Sequence, residues 1–559
     1  MGKITDTWCS LHNPDKPIFT LPVPRSRIYI VTDPSLATAV QRASKTLSFT
    51  PLVPDITRRV LGLDHDTDAI VRQHIDPEPG QPRGFLADMH DMVYSYLGPG
   101  PALDELSHEA VRELASQVDT YAGALLKEKR GEGIVSLLPW IRHFVAFATA
   151  NLLYGEENPF SSHPELESAF WDFDHGLGSL LTGVFPSITA RKAYRGREAL
   201  AAALEEYLVG NRHLPGEGRK GASQIVHKRV AIALQHGWTL RAAARSELSF
   251  LFAGIVNTAT TTFWMVLHLF ASASSGADSL LSTVRSELAS CFIADPQART
   301  LTLSLDKLKT SSPTLQSLFR ECLRQNSDTY STRLVKTATV LSGPGGPYHL
   351  AANSIVQISG GTMHSDPRIW GPDVRQFNPL RFLPKQHRGN QREKKAKKDS
   401  DQDENKEQEQ HPKQHDPNTD NNNNTRPLKP RKGDSPTSST STTRAANRTT
   451  TKDDATTTTT HTTNNTPSNS STIHPAAFRA FGGGKTLCPG RHFATVSIQA
   501  LVALLVTKFD IVGPGEGEQS KTIEIPEKED RVLPVHVLEP RREVRVKVRV
   551  RDARRVVVI

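Results

Sequence analysis

Apolar positions fall into helical runs over most of the chain, with short alternating stretches near both ends. Residues 18–32 alternate like strands, with turn residues between the runs. Residues 34–150 read as helices separated by loops. The clearest is Leu138–Tyr154, where Pro139 suits the first turn because its missing N–H has no partner to lose there. Two amphipathic helices flank Gly183–Pro186 within 165–213. Residues 241–272 predict one long apolar helix and 313–325 a shorter one, and alternation returns at Leu334–Leu341. Near the C-terminus, Arg542–Arg551 alternates valine with charge, the pattern of an edge strand with one apolar and one solvated face. The elements predict a fold that is mainly α with small β-sheets.

One segment breaks the pattern. Residues 388–475 are rich in Lys, Glu, Gln, Asn, Ser and Thr and contain almost no large apolar residues, so nothing offsets the entropy of ordering them. They read as a disordered low-complexity insertion, either a true surface insertion or unspliced sequence carried into protein. The expected organisation is one catalytic domain made of 1–387 and 476–559, interrupted by 388–475. A long loop is entropically cheap and need not prevent folding.

The formal net charge is +9, which invites a nucleic-acid reading. Its location argues otherwise. Residues 388–475 carry an excess of 3 positive charges and residues 541–559 an excess of 6, which leaves the rest of the chain neutral. No nucleic-acid partner is expected. The 4 cysteines, Cys9, Cys291, Cys322 and Cys488, are scattered without a Cys-x-x-Cys pair, which argues against disulfide and zinc frameworks. The first residues are polar, and no apolar span or signal peptide is read there.

Chemistry concentrates at Phe481-Gly-Gly-Gly-Lys-Thr-Leu-Cys488-Pro-Gly490. A single cysteine sits in a loop bracketed by glycines and precedes an apolar helical run, Ala494 to about Phe509. Glycines let backbone approach a large flat ligand. A helix N-terminus favours a thiolate. Such a soft ligand suits haem iron. The bland alternative is a buried structural cysteine after a tight turn. In the long helix, Asn257 and Thr258 are polar among apolar neighbours, and Gly254 leaves space beside the helix. The bland account there is threonine hydroxyls bonding back to the previous turn. Glu321 and Arg324 share one helix face at i, i+3 and can pair.

At these residues the chain resembles the cytochrome P450s. The family's cysteine loop is filled by Phe481, Gly482, Gly484, Cys488 and Gly490, with Thr486 where a basic residue is usual. Trp370–Phe382 is similar to the family's meander, with Leu380 as one departure. Asn257-Thr258 followed by Phe263-Trp264, and Thr486, resemble the sterol 7α-hydroxylase and prostacyclin synthase branch, and the whole looks eukaryotic and fungal.

The resemblance implies the cytochrome P450 fold and haem b (iron protoporphyrin IX) with Cys488 as axial ligand. It implies a haem propionate held by Arg333, and a Glu321–Arg324–Arg381 network under the loop. It implies that Thr258 and Asn257 serve dioxygen and its protons, and that residues 165–213 form a lid over the substrate. The activity implied is hydroxylation of a lipophilic sterol-, terpenoid- or fatty-acid-like substrate, with electrons from an NADPH-dependent flavoprotein reductase. Asn257 cannot titrate, which keeps a haem-thiolate isomerase or dehydratase acting on a peroxide in view, beside a non-catalytic haem binder. The family's tryptophan-and-arginine helix is not recognisable, and His108 and Arg112 are the spaced candidates for it. His364 is expected to be structural. The family location is the endoplasmic reticulum membrane surface. Without an anchor read in this chain, a cytoplasmic enzyme and a peripheral membrane contact both stay open.

Overall fold

The computed structural model describes residues 16–24, 26–129, 131–216, 221–272, 279–383, 473–515, 522–532 and 535–559. The low-complexity insertion lies outside the described residues, apart from Ile473, His474 and Pro475.

Helices dominate. The central one is Leu240–Ala271, 32 residues long and buried along most of its length. Thr239 caps it by accepting from the Ala242 N–H at 3.1 Å. It packs on Leu137–Tyr154, on Arg191–Val209 and on Arg491–Lys508, the helix that follows Cys488. That last helix begins three residues earlier than its apolar run predicts, because Gly490 rather than Phe493 opens it. Pro313–Asn326 packs beside the central helix and carries Glu321 and Arg324. Its first turn is capped by Glu287, whose two carboxylate oxygens each accept from the Thr314 N–H at 3.1 Å. Among the described residues one helix is long and apolar enough to cross a membrane, and it is this buried central one.

Among the described residues four small sheets lie around the helices. The largest orders its five strands as Ile18–Val23, Ser26–Val31, Ile355–Ser359, Tyr330–Val335 and Leu47–Ser48. Arg333 opposes Val356 in it.

The C-terminal alternation is not an edge. Arg545–Val550 is the middle strand of three, antiparallel to Phe509–Val512 on one side and to Glu132–Ser136 on the other. Val546 and Val548 are fully buried, and Arg549 pairs across the strand with Glu132 at 3.0 Å. A half-buried central strand and an edge strand share the same period-2 pattern. The deciding partner, Glu132–Ser136, sits in a stretch that reads as helix and loop. The basic tail is therefore built into the fold. Lys508 bonds Asp119 at 2.7 Å, and Asp119 in turn accepts from the Val556 N–H at 2.8 Å.

Candidate functional site: the Cys488 loop and its supports

The cysteine loop closes on itself. The Cys488 N–H donates to the Phe481 carbonyl at 2.9 Å, and a single tight turn, Gly484–Thr486, fills the interior. Gly482 (φ 75°) and Gly484 (φ 63°) are in the left-handed region, which costs other residues about 1–2 kcal/mol. Gly490 differs. Its φ of −78° suits any residue, and a Cβ there would make only ordinary contacts, 3.9 Å from Cys488 Sγ and from Leu97 Cδ1. The Phe481 ring lies 6.4 Å from that of Phe319 on the Glu321 helix.

Burial pushes the Cys488 thiol pKa up, opposing what a helix N-terminus alone predicts. The nearby backbone N–H groups of Gly490 and Arg491 and the Arg491 charge act the other way and favour the thiolate, and Arg491 donates its N–H to the Cys488 carbonyl at 3.4 Å. These groups act with any cation that the sulfur ligates. Around it, Phe481, Phe493 and Ala494 are only half-buried although they adjoin the core. On the central helix, Ser249, Ala253 and Asn257 are exposed or half-exposed at four-residue spacing, and the turns beyond Thr258 are buried. Two requirements of a flat ligand are thus met at the loop: a sulfur with thiolate-favouring groups beside it, and incompletely covered apolar surface.

Arg333 donates to Thr486 Oγ1 at 2.6 Å and to the Gly483 carbonyl at 3.3 Å. The basic residue missing at Thr486 is thus supplied from the neighbouring strand. Arg479 stands beside it, 2% exposed, with Nη2 donating to Ser331 Oγ at 3.0 Å and Nε without a hydrogen-bond partner. Burial, and then the Arg333 charge, push the Arg479 pKa down to about 10. Among the described residues neither guanidinium has a carboxylate in ion-pair range. Two buried cations without an acid call for an anion, and haem propionates fit. Arg479 was not singled out in the sequence. Its one local signal is a charged residue two positions before Phe481.

The Glu321 network is closed. Arg324 holds both oxygens of Glu321, at 2.8 and 2.7 Å, and Arg381 Nε lies 3.2 Å from one of them. Arg381 also clamps Asp373 and the carbonyls of Trp370, Asp373 and Gln376. Arg324 continues to the His364 and Val374 carbonyls at 2.6 and 2.9 Å. His364 passes the support on. Its Nε2 accepts from the Arg479 N–H at 2.8 Å, and its Nδ1–H donates to the Ser327 carbonyl at 3.0 Å. With both ring nitrogens engaged, His364 is structural. Glu321 therefore reaches the root of the cysteine loop through Arg324, His364 and Arg479.

Other expectations change. His108 bonds the Asp104 carbonyl within its own helix, at its exposed surface, and Arg112 lines a surface cleft against Arg555–Val558. The helix that reaches the loop is Phe85–Leu97, where Tyr94 donates its hydroxyl to the Leu487 carbonyl. Gly254 does not open space for a ligand. A Cβ there would stand 2.9 Å from Thr149 Cγ2, so the glycine admits the neighbouring helix. Thr258 is 6% exposed, one residue beyond Asn257 and off the open stripe. The hydroxyls of Thr260, Thr261 and Thr262 have no partner among the described residues, so back-bonding does not account for them. Asn257 is engaged: its Oδ1 accepts from the Val537 N–H at 2.9 Å.

Known proteins resemble the chain over most of its length. The family model for cytochrome P450 matches residues 107–400 and 462–533. Cytochrome P450 monooxygenase nodJ of Hypoxylon pulicicidum is 25% identical over 503 residues, covering 89% of this chain and 76% of the relative. Cholesterol 7-alpha-monooxygenase of Cricetulus griseus is 26% identical over 224 residues, covering 39% of this chain and 41% of the relative. The solved structure of retinoic acid-bound cyanobacterial CYP120A1 superposes with a TM-score of 0.60 at 18% identity, over 98% of this chain and 94% of that one. The loop, the helices that support it and these likenesses together make the chain a member of the cytochrome P450 family, a P450 monooxygenase.

Proposed function

We propose that this P450 binds haem b through Cys488 and hydroxylates a lipophilic substrate with electrons from an NADPH-dependent flavoprotein reductase. The observation that carries the reading is the pair of buried guanidiniums, Arg333 and Arg479, with no carboxylate in ion-pair range among the described residues, at the loop that presents Cys488. When bound, the haem supplies dioxygen binding and activation. The protein's own groups do the rest. Cys488 would ligate the iron, and Arg333 and Arg479 would hold the propionates. The Thr258 hydroxyl, buried beside Asn257, would donate and accept a proton there. The Glu321 network keeps the loop from shifting.

A sterol-like substrate is supported by the likeness to cholesterol 7-alpha-monooxygenase, and terpenoid or fatty-acid-like molecules share its lipophilic chemistry. Delivery from a membrane surface is supported by Val184, Phe185 and Ile188, exposed at 56%, 74% and 76% on one short stretch. The test is reconstitution with an NADPH-dependent flavoprotein reductase and a panel of sterols, terpenoids and fatty acids. The expected result is substrate-dependent NADPH consumption and a product heavier by one oxygen atom. A second reading, rearrangement of a peroxide without a reductase, is favoured by one observation: Asn257 is already bonded to Val537 and adds no titrating group beside Thr258. Conversion of a lipid peroxide with no NADPH consumption would select it.

A further inference from the structure

The segment Val535–Glu539 touches four helices. The Val537 N–H donates to Asn257 Oδ1 at 2.9 Å, and the Leu538 carbonyl accepts from Trp264 Nε1 at 2.8 Å. Asn257 and Trp264 are seven residues apart, two turns along one face of the central helix. The Leu538 N–H donates to the Asn326 carbonyl at 2.9 Å, at the end of the Glu321 helix. Val537 and Leu538 are 4% and 2% exposed.

Flanking them, the side chains of His536 and Glu539 reach Leu166–His175. His536 Nε2 lies 3.4 Å from Asp174 Oδ1. Glu539 lies 3.4 Å from His175 Nε2 and also takes Arg142 of Leu137–Tyr154. Arg142 in turn is 3.3 Å from His175 Nε2 and stacks 4.0 Å over the Trp171 ring. The cluster does not suit a metal, since the Arg142 guanidinium already occupies Glu539 and faces the His175 ring nitrogen.

We infer that Val535–Glu539 is a strap that couples the Leu166–His175 helix to the Thr258 turn, and that Asn257 is the positioning residue that sets it. An amide at 257 supplies an uncharged acceptor for a buried N–H. That task accounts for an asparagine better than proton delivery does, because an amide does not titrate. The strap rests on hydrogen bonds and ion pairs within the protein. Its consequence for ligand exchange rests on the haem-thiolate reading.

The experiment is hydrogen–deuterium exchange of the haem-loaded protein, comparing wild type with Asn257→Leu, Asn257→Asp and Trp264→Phe. Asn257→Leu keeps the side chain's size and removes the acceptor, whereas Asn257→Asp keeps an acceptor oxygen. The strap predicts that Asn257→Leu speeds exchange in both 535–539 and 166–175 by about tenfold, the scale for one lost buried hydrogen bond. Trp264→Phe should move the same two segments. Asn257→Asp should match wild type. A second readout is release of 4-phenylimidazole, followed by the Soret band, which Asn257→Leu should speed by a similar factor and Asn257→Asp should not. Faster exchange confined to 535–539 would overturn the coupling. Equal behaviour of the leucine and aspartate variants would overturn the role of Asn257. The carbon monoxide complex of each variant keeps the two readings apart. A thiolate-type Soret band in all of them means that any failure belongs to the strap. Its loss in wild type would strike the haem-thiolate reading and leave the exchange comparison standing.

Discussion

Acid should unfold this protein partly through His364, and replacing that side chain should remove a calculable share of the effect. His364 is 1% exposed, with Nε2 accepting from the Arg479 N–H and Nδ1–H donating to the Ser327 carbonyl. Only a neutral ring does both. Burial, with Arg324, Lys528 and Arg479 nearby, lowers its pKa from 6.5 to about 3. The sign follows from linkage. The folded pKa is depressed, so the unfolded chain takes up the proton first. Stability is then complete above pH 6.5 and is lost as pH falls toward about 3. One pKa unit corresponds to about 1.4 kcal/mol, so at pH 5 this histidine should cost roughly 2 kcal/mol. His268, stacked on Phe377 with ring centroids 3.5 Å apart, is also lowered to about 3 by burial and adds a similar loss. His364→Gln offers one donor and one acceptor without a titrating ring. Urea unfolding of the haem-loaded protein at pH 7 and pH 5, followed by circular dichroism, is the assay. The glutamine variant should lose roughly 2 kcal/mol less than wild type between the two conditions. Equal losses would refute the claim that burial, with the cations around it, holds His364 neutral.

Further outcomes follow from the same geometry. Glu321→Gln leaves Arg324 without a counter-charge in the core, while Arg381 keeps Asp373, and should cost about 3–5 kcal/mol, read as a lower urea midpoint and a smaller haem-loaded yield. Gly484→Ala should cost about 1–2 kcal/mol through its positive φ, and its Cβ would also press on Gln41 at 3.0 Å. Gly490→Ala should shift the melting temperature far less, since its backbone is ordinary. Arg333→Gln and Arg479→Gln should each speed haem transfer to apomyoglobin by about tenfold, the scale of one charge-assisted hydrogen bond. An unchanged rate in Arg479→Gln would remove that residue from the haem site.

Local pattern carried much of this site, because several of its parts are short in sequence. The cysteine loop is ten residues, from Phe481 to Gly490, and the Glu321–Arg324 pair spans one helical turn. The substitution at Thr486 directs attention to Arg333, and the two are bonded. What stayed hidden depends on partners distant in sequence. Arg479 gains its meaning from Arg333, and Tyr94 from Leu487, 393 residues away. Arg545–Val550 is central only because Glu132–Ser136 pairs with it. Asn257 reads as a proton-handling residue from its position beside Thr258, yet its oxygen is bonded to a backbone amide 280 residues later. Gly254 reads as space for a ligand and serves helix packing against Thr149. In each case the residue type was informative and its partner was not.

Cys488 as the iron ligand is tested most directly by the carbon monoxide difference spectrum of the reduced protein. Wild type should give the red-shifted Soret band of a thiolate-ligated haem, and Cys488→Ser should lose it. A wild-type spectrum without that band, or a serine variant that keeps it, would contradict the assignment.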